Sequence, residues 1–276
     1  MGAISFTTTL LPGALTILAE HQREMPQKNE LCGAFWITLA LRGLDGRSVE
    51  QDTVGLAASS LLSVIQSSDS LPPGEPGRSD YVLDLTRTDD PDIDSGTSSE
   101  GLMVAATDLS AGRLLAIPAS GHWTGKRIKA LLEGVAGLKN EVLVIANSAT
   151  RFLWGTGGGP LPAIEYLTTG ATAQPTADWN VGHFIGVLGW ISGPSGELLV
   201  CADTYPSLGS HGVHLQPFNA MADSLNRDDS PFCGGMLLVV PATAQSRVRE
   251  IISGVGLTAE VWDNGTPYRP DWVPAG

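Results

Sequence analysis

The chain has 276 residues, a formal net charge of −13 and only 16% charged residues, with a sequence pI near 4.6. An acidic chain whose one basic cluster, Lys126, Arg127 and Lys129, reads as a solvated helix face repels phosphate backbones and anionic headgroups, which excludes nucleic acid and acidic membrane surfaces as partners. No apolar run approaches the roughly 18 residues of a membrane span, and Met1 to Leu11 lacks the basic start of a signal peptide, so neither is expected. Three cysteines, Cys32, Cys201 and Cys233, form no C-x-x-C pair, which fits a reducing compartment and makes the cytoplasm the expected location.

In chain order, Leu10 to Leu18 is apolar but broken by Pro12-Gly13, which predicts a strand and then a short helix. Gln27 to Leu44 carries the strongest signal. Ala34, Phe35, Trp36, Ile37, Leu39, Ala40, Leu41 and Leu44 leave almost no polar face, as in the central buried helix of a domain. Asn29 is the expected N-cap, which puts Cys32 in the first turn, where unpaired N–H groups and the positive end of the helix dipole stabilise a thiolate. A cysteine there also fits a plain packing role as a small hydrophobe. Val54, Leu61, Leu62 and Ile65 repeat at helical spacing and predict a second helix over Val54 to Ile65, dissolving into a Ser/Pro/Gly loop from Ser67 to Ser79.

Tyr81 to Leu85 alternates like a strand. Asp90, Asp92 and Asp94 then stand at alternate positions, as in a calcium loop, but the glycine comes one position late and Glu100 one position early, so a solvated acidic loop is expected. Leu102 to Ala106 and Arg113 to Ile117 read as a β-hairpin, Thr124 as the cap of a helix to Leu138, and Glu141 to Ala146 as a buried strand, a β-β-α-β unit. The glycine run Gly155 to Pro160 lacks the Gly-Lys-Ser/Thr of a phosphate loop and reads as a turn.

His183 opens an apolar run, Phe184 to Ile191, too continuous for a half-exposed strand. A turn at Gly193 to Gly196 returns the chain through Glu197 to Ala202, so Asp203 leaves the hairpin beside the residue that entered it. A carboxylate next to an imidazole fixes its tautomer and favours its protonated form. Each residue also has an ordinary reading, His183 as a hydrogen-bonded core histidine and Asp203 as a turn residue. A short helix over Leu215 to Leu225, a buried strand over Gly235 to Val240, a helix over Gln245 to Val255 and a tail with Trp262, Pro267, Pro270 and Trp272 complete the chain. Cys201 and Cys233 are expected to be buried. His122, His211 and His214 lack a third ligand at useful spacing and no dinucleotide fingerprint is present, so no metal or cofactor is expected.

Cysteine at a helix start, then Gly182-His183 opening a strand, then Asp203-Thr204-Tyr205-Pro206 closing the next, resembles the papain-like cysteine peptidases, most of all the bacteriocin-processing (double-glycine leader) branch. In that family a glutamine shortly before Cys-Gly forms the oxyanion hole with the nucleophile's own N–H; the resemblance assigns this to Gln27 ahead of Cys32-Gly33, with Gln22 as the alternative. Gln27 stands five positions before Cys32, a little close for the family, and Thr204 follows Asp203 where the family has Pro. The resemblance implies an α+β fold with the N-terminal helix packed on an antiparallel sheet. Residues 1–45 and 178–242 would form the Cys-His domain, 46–177 an inserted α/β elaboration of it, and 243–276 a C-terminal helix and Pro/Trp tail. The implied activity is cysteine-dependent hydrolysis of a peptide or small amide by Cys32, His183 and Asp203. Acyl transfer or cyclisation by the same triad, or binding without chemistry on the same fold, are the alternatives.

The region 46–177 is expected to pack against the Cys-His domain and to wall its cleft. Limited proteolysis followed by mass spectrometry should therefore cut first between Ser67 and Glu100, where composition least favours order, and early cutting within Glu141 to Ala146 would refute this layout.

Overall fold

A computed structural model describes residues 5–65, 68–156, 159–171, 176–228 and 231–271. In chain order the elements are β1 (Thr7–Leu10), α1 (Ala14–Glu24), α2 (Cys32–Asp45), α3 (Gln51–Ala57), β2 (Leu62–Ser63), β3 (Arg87–Thr88), α4 (Ser99–Leu109), β4 (Leu114–Ala119), α5 (Gly125–Ala136), β5 (Leu143–Ala149), α6 (Leu161–Thr169), β6 (Gly182–Ser192), β7 (Glu197–Ala202), β8 (Val213–Pro217), α7 (Phe218–Asn226), β9 (Gly235–Pro241) and α8 (Gln245–Gly254). The fold is mixed α+β around one antiparallel sheet in the order β4-β9-β5-β6-β7-β8. β1 pairs with the far end of β6, so β1 and β5 share one edge of that long strand. The short β2 and β3 form a separate parallel pair.

The sheet is buried on both faces, which explains why its strands read as continuous apolar runs. Side chains alternate along each strand. Leu143 and Ile145 of β5, with Leu237 and Val239 of β9, face a core shared with α2 and α4. Val144 and Ala146, with Met236, Leu238 and Val240, face a second core shared with α5, α7 and α8. A third small cluster, Trp154, Ala163, Leu167 and Leu198, holds α6 against β7.

Helix α2 is buried from Cys32 through Leu41. Two glycines set how closely it approaches its neighbours. A Cβ on Gly33 would stand 2.7 Å from Leu102 and 3.2 Å from Phe184, and one on Gly186 of β6 would stand 2.6 Å from the Trp36 ring. Trp36 also donates its indole N–H to the Phe184 carbonyl (2.8 Å), which fixes the helix in register along β6. Among the described residues no helix is long and apolar enough to cross a membrane.

Several local expectations need correction. Leu102 to Ala106 is not a strand but the middle of α4, whose Ser98 side chain accepts from Gly101 N–H as N-cap. β4 is therefore not half of a hairpin, and it pairs with β9 rather than with β5. The helix foreseen over Val54 to Ile65 ends at Ala57, because the chain turns and Leu62 enters β2. Tyr81 to Leu85 forms no strand; the Val82 and Leu83 N–H groups are taken by the Asp52 carboxylate instead of a ladder. Asn29 is not the N-cap of α2. Leu31 holds that position, while Asn29 Oδ1 accepts from Arg78 N–H (2.9 Å). Cys233 is exposed. Part of the glycine run, residues 157–158, and Trp272 lie outside the described residues. Thr124 does cap α5, accepting from Arg127 N–H.

Gly186→Ala pushes a methyl group into the Trp36 ring, an overpacking that costs roughly 1–3 kcal/mol. Differential scanning fluorimetry should show a thermal midpoint lower by about 2–10 °C, and an unchanged midpoint would contradict this packing.

Candidate active site

The cleft lies where the start of α2, the first residues of β6 and the segment after β7 meet. It has a volume of about 430 Å³, and Gln27, Cys32, Trp179, His183 and Tyr205 are among its lining residues. Cys32 is the first residue of α2, so its backbone N–H has no acceptor within the helix. It is 9% exposed and is one of the residues that line the cleft.

His183 is buried at the mouth of β6, paired in register with Ser148 of β5. Its Nε2 lies 2.9 Å from Asp203 Oδ1 and 3.2 Å from Thr204 Oγ1. Committing Nε2 to these oxygens leaves Nδ1 for the thiol, and the Cys32 side chain interacts with the ring. Trp179 meets the imidazole edge-on at 4.8 Å and Tyr205 stacks beyond it at 6.1 Å, shielding the ring from bulk water.

Asp203 is almost fully enclosed and every oxygen is used. Oδ1 also accepts the Thr204 backbone N–H (2.7 Å), and Oδ2 lies 3.4 Å from His214 Nε2. Gln216 Nε2 approaches His214 Nδ1 (3.1 Å), which makes Nδ1 the acceptor and directs the Nε2 proton at Asp203. The Asp203 backbone carbonyl meets His21 Nε2 at 2.5 Å.

Gln27 is tied to the same segment. Its N–H donates to Thr204 O (3.1 Å), and its side-chain Oε1 accepts from the Thr204 hydroxyl (2.5 Å). With the oxygen occupied, the amide nitrogen is the end left to donate, and Gln27 lines the same cleft as Cys32. Gln22 is elsewhere, its amide on His211 O and His21 Nδ1, and it does not line the cleft.

A family model spans residues 11–263. The chain belongs to the DUF6885 family, a family of unknown function. No curated protein matches it.

In this DUF6885 chain the electrostatics of the cleft follow from burial and pairing. Burial alone would push the His183 pKa down, but the Asp203 carboxylate and the Cys32 side chain outweigh it and raise the value to about 10. Burial works against the charge on Asp203 too, and the two imidazoles overcome it, holding the carboxyl well below the usual range. His21 is shifted the other way, downward, by burial. That fits a neutral ring donating to a carbonyl. Cys201 is fully buried, and burial and then the Asp203 charge push its thiol far up, so it is no nucleophile. Among the described residues no group of three or more His, Cys, Asp or Glu side chains could hold a metal.

Sequence reasoning thus brought Cys32, His183, Asp203 and Gln27 to one place but missed Thr204 and His214. Thr204 was visible only as a departure from a family proline. His214 was weighed only as a metal ligand and set aside for want of a third ligand, whereas its place on β8, opposite Cys201 of β7, carries it toward Asp203.

The His183 shift has a definite sign. A group whose folded pKa is raised contributes stability that is complete below the unfolded value of about 6.5 and is lost as pH rises toward 10. Urea unfolding of wild type and Asp203→Asn should therefore show a stability gap that is widest between about pH 4, where the unfolded carboxyl titrates, and pH 6.5, and that narrows steadily toward pH 10. A gap independent of pH across that window would rule out the pair.

Proposed function

We propose that the chain is a papain-like cysteine hydrolase that cleaves an amide bond of a peptide substrate through a Cys32-His183-Asp203 triad. The observation that carries this reading is one buried imidazole with Asp203 on Nε2 and Cys32 beside it in an open cleft. The position of Cys32 at the start of the buried helix α2 and the amide nitrogen that Gln27 has left to donate in the same cleft support it further.

The steps follow from these roles. At neutral pH the raised pKa of His183 keeps the thiol proton on its ring, and the Cys32 sulfur attacks the amide carbonyl carbon as the thiolate. The oxygen takes up the negative charge and is met by the Cys32 N–H and the Gln27 amide. Collapse breaks the C–N bond, the leaving amine takes the proton from His183, and a thioester remains on Cys32. A water molecule gives a proton to His183 and attacks the thioester. The acid departs, and the Cys32 thiolate and protonated His183 are restored. Asp203 keeps the ring oriented throughout, so its loss weakens the reaction rather than removing a reacting atom.

Incubating the protein with a proteome-derived peptide pool and reading new termini by mass spectrometry tests this. Cleavage should vanish in Cys32→Ala, fall by roughly 10²–10³ in Gln27→Ala, fall by as much as about 10⁴ in Asp203→Asn, and survive chelators. Iodoacetamide should label Cys32 faster than the more exposed Cys233. Undiminished cleavage by Cys32→Ala, or a chelator-sensitive rate restored by a divalent ion, would defeat the proposal.

A further inference from the structure

The cleft holds a charge that the triad does not use. Arg227 is only 5% exposed, caps the end of α7 and lines the same cleft as Cys32. Its Nη2 donates to Asn147 Oδ1 (2.9 Å), a neutral acceptor, and its Nε has no partner. Among the described residues no carboxylate forms an ion pair with it, and Asp94 acts on it only through space. Two more lining atoms are buried without partners, Trp179 Nε1 and Asn264 Oδ1. Buried polar groups are rarely left so, and a guanidinium least of all.

We propose that Arg227 receives a carboxylate of the substrate, so that the amide cleaved at Cys32 belongs to a molecule carrying a carboxylate within the span of the cleft. This inference rests on the proposed hydrolase reading. The guanidinium fork suits a planar carboxylate, and its open donors supply the charge-assisted bonds. Gly182 adjoins this fork, and a Cβ there would stand in van der Waals contact with Nη1 and Nη2, 3.5 Å from each. A phosphate fits less well, because Glu30 and Asp94 line the cleft too and oppose a dianion. Trp179 Nε1 and Asn264 Oδ1 then serve as one donor and one acceptor for the polar atoms of the amide chain.

Matched alkylating pairs test this on the full chain: iodoacetate against iodoacetamide, and iodoacetylglycine against iodoacetylglycinamide. In each reagent the thiolate sulfur displaces iodide, so only the carboxylate differs. Peptide mass spectrometry gives the rate at Cys32, and the acid-to-amide ratio is divided by that of free cysteine. At least one pair should favour the acid by about tenfold, the effect of about 1.4 kcal/mol. The preference should collapse in Arg227→Gln and persist in part in Arg227→Lys. Should Arg227→Gln fail to fold, slowing of Cys32 alkylation by N-acetylglycine but not by N-acetylglycinamide supports the proposal in wild type. Equal ratios at Cys32 and free cysteine, a preference unchanged in the folded Arg227→Gln protein, or equal effects of the two competitors would overturn it and leave the thiol chemistry standing. Failure of Cys32 to react with any reagent would remove the hydrolase reading itself.

Discussion

A carboxylate sealed inside a protein must be answered on every side, and Asp203 imposes that constraint on this fold. Its oxygens collect His183 from β6, His214 from β8 and the backbone N–H of Thr204, while its carbonyl collects His21 from α1. Removing one partner of such a buried pair typically costs about 3–5 kcal/mol, because the remaining charge is left in low dielectric. One residue therefore ties the first helix, the long central strand and the last strands of the sheet together. The same residue orients the imidazole next to Cys32. Stability and site geometry are consequently one arrangement, and a substitution at Asp203 acts on both.

The segment between α1 and α2 shows a second use of buried charge. Lys28, 2% exposed, pairs with fully buried Asp52 at 2.6 Å, and the Lys28 N–H donates to Gln51 Oε1. Gln51 in turn donates to Glu24, which also meets Arg42 and Arg78. Tyr81 donates to the Asn29 carbonyl (2.8 Å). This network brackets Gln27, whose neighbours cannot shift without unpairing a buried ion. A loop residue thereby gains a fixed position on the cleft wall.

The parts legible from sequence were those governed by local rules. The α2 helix announced itself by an unbroken apolar run, and the meeting of His183 with Asp203 followed from hairpin topology between β6 and β7. Thr124 was readable as a cap because its side chain serves the N–H three residues on. The α4 error shows where local rules fail. Leu102 to Ala106 is a short apolar stretch that fits helix and strand alike, and the deciding signal, Ser98 as a cap with Glu100 in the first turn, lay just upstream. Arg227, Asn147 and Asn264 were not legible at all, since α7, β5 and the segment after α8 are brought together only by the sheet order.

That last segment carries a consequence for timing during synthesis. Trp262 packs into the α2-side core and donates its indole N–H to Asn147 Oδ1 (3.2 Å), the same oxygen that holds Arg227, and Asn264 follows it onto the cleft wall. A nascent chain emerging from the ribosome acquires Cys32 early and His183 later, but it lacks the clasp on Asn147 until residues 262–264 clear the exit tunnel. The cleft thus stays unfinished until long after Cys32 has been made. Completion of the pocket is coupled to the arrival of residues 262–264, well after both Cys32 and His183 have been made.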